Sequence, residues 1–339
     1  MKIELKDLAQ WKHVEFLMEL ENVGSKVFKI ISKSLLADIA KDLKEKKLTK
    51  SEKYPGWSAD VSPIQKDIAK TIENSINRHL TGLKWILLGG TKEEGKIAAS
   101  LGLNKFTPGI LFSAYLHNLD SHRQHFVDLF GIEPPEFPKS MMAETMEHIE
   151  QQFLRFTDLY LHQLKVDLVS ALEKMSESKR MTALIEANKE FLDNDDAELS
   201  TKNELNTTRE VKTELGKLLK NHSEKWDKMV GSNLALSSGT ATHQAMIEIH
   251  GHDNSNVRVA NIDMQDNRVC SWCNSISKTA TGKWKLYKIE NLRPSGYNFG
   301  KKRAEWQVSI SPQHIACRCQ TVYVPAGFKL DSMGGLEKK

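Results

Sequence analysis

The sequence predicts an α+β protein: a long, mostly all-α N-terminal region followed by a small α+β module. Three observations predict it. Apolar residues recur at three- and four-residue intervals through most of the first 230 positions, the period of a helix with one buried face. Beyond Gly231 the texture changes to short β-branched and aromatic runs set between turn residues. The 339 residues, 40% hydrophobic and 27% charged, hold enough apolar material for about two domains. This composition excludes a wholly disordered or collagen-like chain.

From about Leu8 to Lys47 the apolar positions Phe16, Leu17, Leu20, Val23, Val27, Ile30, Ile31 and Leu35 predict an amphipathic helix. Pro55, Gly56 and Pro63 interrupt it, and Ile64, Ile68, Ile72, Ile76 and Leu80 resume a helical face. After a Gly-rich break, residues 107–131 predict a helix opened by Thr107 and Pro108 and stopped by the IEPPEFP stretch. A long helix follows from Ser140 to about Met175, closing a helical domain over 1–177. Residues 178–235 stay helical but turn very polar, which predicts an exposed arm or linker. The module spans 236–328. It opens with a short helix over 236–250 behind a Ser/Gly cap, and strands are expected around Val257–Ile262, Trp306–Ile310 and Thr321–Val324. Residues 329–339 read as a flexible tail.

The net charge of +4 conceals a division. Residues 255–339 hold fourteen Lys and Arg against six Asp and Glu, a net of +8, which leaves −4 for residues 1–254. A basic module beneath an acidic helical region suggests two surfaces with different partners, nucleic acid being a natural one for the basic side. A solvated basic surface accounts for the composition equally well. No apolar run approaches the roughly 20 residues of a membrane span, and the N-terminal residues lack a signal-peptide pattern, so cytoplasmic synthesis and no membrane partner are expected.

All four cysteines, Cys270, Cys273, Cys317 and Cys319, fall within one fifty-residue window. Cys270-Ser-Trp-Cys273 is followed some forty residues later by His314-Ile-Ala-Cys317-Arg-Cys319. A Cys-x-x-Cys turn presents two thiolates to one ion, and a second element with His and Cys completes a tetrahedral set. Thiolate and imidazole suit zinc, so one structural Zn²⁺ is expected, with five candidate ligands for four places. Metal-free packing of small thiols, or a disulfide, is the plainer alternative. A nucleophilic Cys273 or Cys317 with His314 as base lacks a recognisable oxyanion element, and no βαβ pattern supports a thioredoxin-like role.

Other motifs carry less. Gly90-Thr-Lys-Glu-Glu-Gly95-Lys96 approximates a phosphate-binding loop, but Ile97 stands where Ser or Thr is needed and two glutamates repel the ligand, so an exposed turn between helices is expected. His117, His122 and His125 share one helix without a His-Glu-x-x-His pattern and read as partly exposed and uncharged. His250-Gly-His252-Asp253 reads as a turn. Between the cysteine elements, Lys283, Trp284, Lys285, Tyr287, Lys288, Arg293, Tyr297, Phe299, Lys301, Lys302 and Arg303 interleave cations with aromatics. The mixture suits phosphate neutralisation and base stacking, or else a small core flanked by lysines.

Asp266-Asn-Arg-Val-Cys270-Ser-Trp-Cys273 resembles the acid and Cys-x-x-Cys element of the phage Mu F-like minor head proteins, the phage head morphogenesis family. Ser311-Pro312-Gln-His314-Ile-Ala-Cys317-Arg318-Cys319 resembles that family's closing Pro, His and Cys-Arg-Cys element. The likeness covers roughly the last hundred residues. Ile315 stands where the family usually has Pro, and the usual Gly is missing from Asn274-Ser-Ile-Ser-Lys. The resemblance implies a non-enzymatic virion component near the portal inside the head, assembled in the host cytoplasm. Its implied partners are portal, scaffold or major capsid proteins and packaged double-stranded DNA, with no small-molecule substrate. A zinc-dependent enzyme acting on nucleic acid and a zinc DNA-binding module outside any virion are the competing readings.

Overall fold

The computed structural model describes residues 2–4, 9–45, 62–190, 200–250, 257–263, 269–314, 317 and 319–339. The break at Pro55 and Gly56, the polar stretch 191–199, His252, Asp253, Asp266, Ile315, Ala316 and Arg318 lie outside them. The chain is mainly helical with a small sheet-containing C-terminal region, as expected. The helices are α1 (Ala9–Glu45), α2 (Ser62–Leu88), α3 (Lys92–Ser100), α4 (Ile110–Phe130), α5 (Lys139–Glu190), α6 (Ser200–Glu248) and α7 (Ser271–Ser277). The strands are β1 (Lys2–Ile3), β2 (Arg258–Ile262), β3 (Tyr287–Lys288), β4 (Gln320–Tyr323), β5 (Phe328–Leu330) and β6 (Leu336–Lys338). No described helix is long and apolar enough to cross a membrane.

The chain forms two compact units that do not follow the linear division expected from composition. One comprises residues 25–107 and 155–226; the other comprises 1–24, 108–154 and 227–339.

The first unit is an all-helical core. Val27, Phe28, Ile31, Leu35 and Ile39 of α1 are buried, as are Ile76, Leu83, Ile86 and Leu87 of α2. Leu215, Leu219 and Trp226 of α6 share one face at helical spacing and are buried too. Trp226 stacks on Phe28 with ring centroids 5.2 Å apart and meets Tyr160 at 5.7 Å. This part of the expected arm is therefore core: few apolar residues suffice when all of them fall on one stripe. The phosphate-loop near-match is a helix start. Thr91 caps α3, accepting from Glu94 N–H at 3.3 Å, while its own N–H donates to the Glu94 carboxylate at 2.7 Å. That carboxylate takes the position an anion would need.

The second unit carries the cysteine module. Its α4 ends at Gly131, where a left-handed backbone (φ 69°) places the N–H on the Val127 carbonyl at 2.7 Å, before the prolines are reached. The expected separate helix over 236–250 is the end of α6. The Ser/Gly segment does not cap it, because Ser237 Oγ donates to the Leu111 carbonyl and Ser238 Oγ is bound by His13 Nε2, each at 2.7 Å. Asn118 Nδ2 donates to Ser238 and to Thr242 Oγ1, so α1, α4 and α6 meet along a buried polar seam.

β2 is central in an antiparallel sheet of order β3-β2-β4, and β1, β6 and β5 form a second. Residues 329–339 are thus not a loose tail: Leu336 is fully buried against Ile262, Trp284, Val322 and Val324. The strand expected over Trp306–Ile310 does not form a ladder. It makes one isolated parallel bridge, in which Arg293 N–H donates to the Val308 carbonyl (3.0 Å) and Ile310 N–H to the Arg293 carbonyl (2.8 Å), while Gln307 N–H donates to Asn298 Oδ1 (2.9 Å) and Ser309 N–H to Gln313 Oε1 (3.0 Å).

Gly239 lies where α6 passes this segment. A Cβ there would stand 2.0 Å from the Ser311 carbonyl oxygen and 2.1 Å from Ser295 Oγ. Gly239→Ala is expected to destabilise the protein by about 1–3 kcal/mol through overpacking against backbone, read as a lower urea midpoint at unchanged slope.

His13 is fully buried, and burial, with His117 and His122 nearby, holds its pKa well below the usual value. The unfolded chain therefore takes up a proton below about pH 6.5 that the folded one refuses, so stability falls as pH falls through that point. His13→Gln is expected to flatten the dependence of urea midpoints between pH 7.5 and 5.

Candidate metal centre

Two chain segments build the site. In the first, Cys270 precedes α7 with extended backbone and caps it: Sγ accepts the Cys273 N–H at 3.4 Å, and the Cys270 carbonyl accepts from Asn274 N–H at 3.0 Å. Three residues on, Cys273 lies in the first turn of α7, so the local helix start turns both sulfurs to one side. The second segment runs into β4. Cys317 N–H donates to the His314 carbonyl at 3.0 Å, and Cys319 directly precedes Gln320. Gln313 and Asn298 hold this approach rigid: both are buried, and Asn298 Nδ2 donates to the Gln313 carbonyl at 2.8 Å.

The fold brings all five expected ligands into one cluster. Cys270, Cys273 and His314 place their ligand atoms within 4.8 Å of one another, and so do Cys273, Cys317 and Cys319. His314 Nε2 lies 3.1 Å from Cys270 Sγ and 3.2 Å from Cys273 Sγ, and Cys273 Sγ lies 3.7 Å from Cys317 Sγ. These spacings suit donors about to share one ion at roughly 2.0–2.3 Å. Two tryptophans screen the cluster. The His314 ring stacks on Trp306 (centroids 5.0 Å, 10°), and Trp272 meets Trp306 edge-on at 5.9 Å. Nothing in the sequence spacing pointed to Trp306 as a partner of His314.

The electrostatics are those of a site that a cation would stabilise. Hydrogen bonds from the Cys273 and Cys319 thiols outweigh burial and hold Cys317 well below the usual thiol value. The same contacts act in reverse on Cys319, raised by Cys273 and Cys317, and the contact with Cys317 pushes Cys273 up as well. Burial raises Cys270, but the Cys273 backbone N–H and thiol, together with His314, outweigh it and leave the thiol below its usual value. One anion among crowded thiols forbids its neighbours to ionise. A divalent cation removes the conflict and lets each ligand ionise. Cys273 and Cys317 are each 3% exposed, which leaves a nucleophile there no open face toward a substrate.

The cationic segment is sorted differently from its sequence reading. Trp284 is not available for base stacking: it is buried in the core with Ile262 and Val322, and its indole N–H donates to the Asp331 carbonyl at 2.8 Å. A large ring beside short strands is worth more as core than as a surface platform. Lys283, Lys302 and Arg303 are exposed, with Arg303 reaching Ser271 Oγ at 2.6 Å. Lys285 Nζ donates to the Ser275 carbonyl at 2.6 Å, Lys288 pairs with Glu290 at 3.4 Å, and Lys301 lies 3.0 Å over the Tyr297 ring.

Family models, characterised proteins and solved structures all return no match to this chain. The assignment of the site therefore rests on its own chemistry.

Removing metal with a chelator is expected to unfasten the module selectively. Amide hydrogen exchange should quicken at least tenfold over 269–323, while α2 and the Phe28–Trp226 core keep their protection.

Proposed function

We propose that the protein is a structural minor component of a tailed-phage or prophage head, with a C-terminal module braced by one zinc ion. The single observation that carries this reading is the convergence of the Cys270/Cys273 and His314/Cys317/Cys319 elements in one buried cluster. It gives a physical purpose to the two elements that resemble the Mu F-like head proteins. Four of the five side chains hold the ion at a time, and the fifth remains beside it. Saturated by protein ligands and screened by Trp272 and Trp306, the ion is structural and supplies no open coordination position of the kind hydrolytic catalysis needs.

The charge division supports separate partners. The acidic helical region meets portal, scaffold or major capsid protein, and the basic module faces packaged double-stranded DNA through Lys283, Lys302 and Arg303, with Lys285, Lys288 and Lys301 adding to the local field. Binding of this kind depends strongly on salt and hardly on sequence.

Elemental analysis of the purified chain should find about one zinc per molecule, falling to near zero in both Cys270→Ser and Cys317→Ser. Heads assembled with either variant should contain at least tenfold less of the protein, and plasmid DNA should stay intact with or without chelator. Unchanged incorporation, or cleavage abolished by chelation, would overturn the assignment in favour of a module outside the head or a zinc-dependent nuclease.

A further inference from the structure

Two histidine motifs that look unrelated in the sequence come together in the fold. His122 and His125 project from α4, and His250 follows the end of α6. The centroid of the His250 ring lies 6.0 Å from that of His122 and 6.2 Å from that of His125, with interplanar angles of 72° and 73°. Tyr323 of β4 stacks on the opposite face of this group, 4.0 Å from His250. His122 and His125 are 0% and 1% exposed. Unlike the expected half-exposed residues on a helix surface, these are imidazoles held out of water.

The group's polar atoms are unevenly satisfied. Both ring nitrogens of His250 and Nε2 of His125 are buried without a hydrogen-bond partner among the described residues. His122 Nε2 meets Thr242 Oγ1 at 3.4 Å. Buried polar atoms are rarely left bare, because each costs about 1–3 kcal/mol in lost hydration. Three such atoms, on two neighbouring rings, are polar groups that a bound ligand would satisfy.

We propose that His122, His125 and His250 form a second site, distinct from the cysteine cluster, for a divalent transition-metal ion that prefers imidazole ligands.

The arrangement has the features such a site needs. His125 is oriented from behind: one ring nitrogen bonds the Tyr323 backbone, while Nε2 is buried without a hydrogen-bond partner among the described residues. A ligand histidine is commonly fixed in this way by a carbonyl on its far nitrogen. Burial lowers His122 to about 3 and His125 to about 4, so both are neutral and able to donate a lone pair at neutral pH. The Asp128 carboxylate acts on His125 with the sign that favours a nearby cation. Imidazoles sharing one ion at about 2.0–2.1 Å bring their ring centres to roughly 5–6 Å, just inside the separations seen here. Among the described residues only the two cysteine-containing triads gather their ligand atoms within 4.8 Å, so binding would require the three histidine side chains to move closer together. Three histidines with a fourth position left to water suit zinc, copper, nickel or cobalt rather than calcium or magnesium.

Titration of the apo full-length chain with Co²⁺ tests this, because sulfur-bound and imidazole-bound cobalt differ in absorption: the first shows an intense thiolate charge-transfer band and the second does not. The expected result is two equivalents, the second binding without any increase in the thiolate band and weakened at least tenfold in both His125→Gln and His250→Gln. The thiolate band and the far-ultraviolet circular dichroism of those variants report that they fold. A single equivalent that carries the thiolate band, or a second one that survives either substitution, would overturn the proposal. Cobalt bound with no thiolate band, yet lost in the histidine variants, would refute the cysteine centre and leave this site standing.

Discussion

Crowded thiols in a dry pocket set the problem around which the C-terminal module is organised. Sulfurs and an imidazole nitrogen approach one another at 3.1 to 3.7 Å, and a negative charge on one sulfur raises the cost of ionising the next. Without a cation the contacts among them hold Cys317 below the usual thiol value and push Cys273 and Cys319 above it. With a divalent cation the same crowding becomes attraction. Because the ligands come from α7 and from the approach to β4, satisfying the charge also ties together two segments some forty residues apart. Such a tie would add to the two small apolar clusters, around Trp284 and around Val259, that the module already holds.

The helical part of the same unit depends on polar complementarity rather than on a cation. Small residues in the Ser237-Ser238-Gly239 segment let α6 run close to the Ser311 carbonyl, and their hydroxyls bind Leu111 and His13. Asn118 joins this seam from α4 and bonds Ser238 and Thr242. A satisfied polar network in a low-dielectric interior fixes one register between helices where apolar surfaces alone would tolerate several. His13 and His122 bond into this seam, and burial holds both below the usual histidine value.

Much of the architecture is legible in the residues. The helical period in α1 and α2 marks the positions that are buried, such as Val27, Ile31, Leu35 and Ile76, because a regular helix turns local spacing directly into a face. The spacing of Cys270 and Cys273 marks two of the clustered thiols for a similar reason: three residues apart at a helix start is a local geometry. What misled the reading was also local. Polar composition around Leu215 and Leu219 suggested an arm, yet a single stripe of apolar residues was enough to seat the helix. The alternation at Trp306, Val308 and Ile310 suggested a strand, but an isolated bridge to Arg293 forms in place of a ladder, and the Asn298 and Gln313 side chains take the N–H groups of Gln307 and Ser309. Trp284, read among lysines as a possible stacking platform, was taken by the core because burying its ring against Ile262 and Val322 outweighs leaving it in water.

Residue types and short spacings alone establish a helical chain ending in a basic, cysteine-bearing module, since each of these features depends on neighbours within a few turns. Which distant groups meet is another matter. That His314 lies on Trp306, that His250 joins His122 and His125, and that Leu336 closes the core over Ile262 depend on how α4, α6 and the strands pack. Contacts between residues over a hundred positions apart, such as His125 with His250, leave no period in the sequence. They follow from the three-dimensional path of the chain, which only the assembled tertiary structure selects.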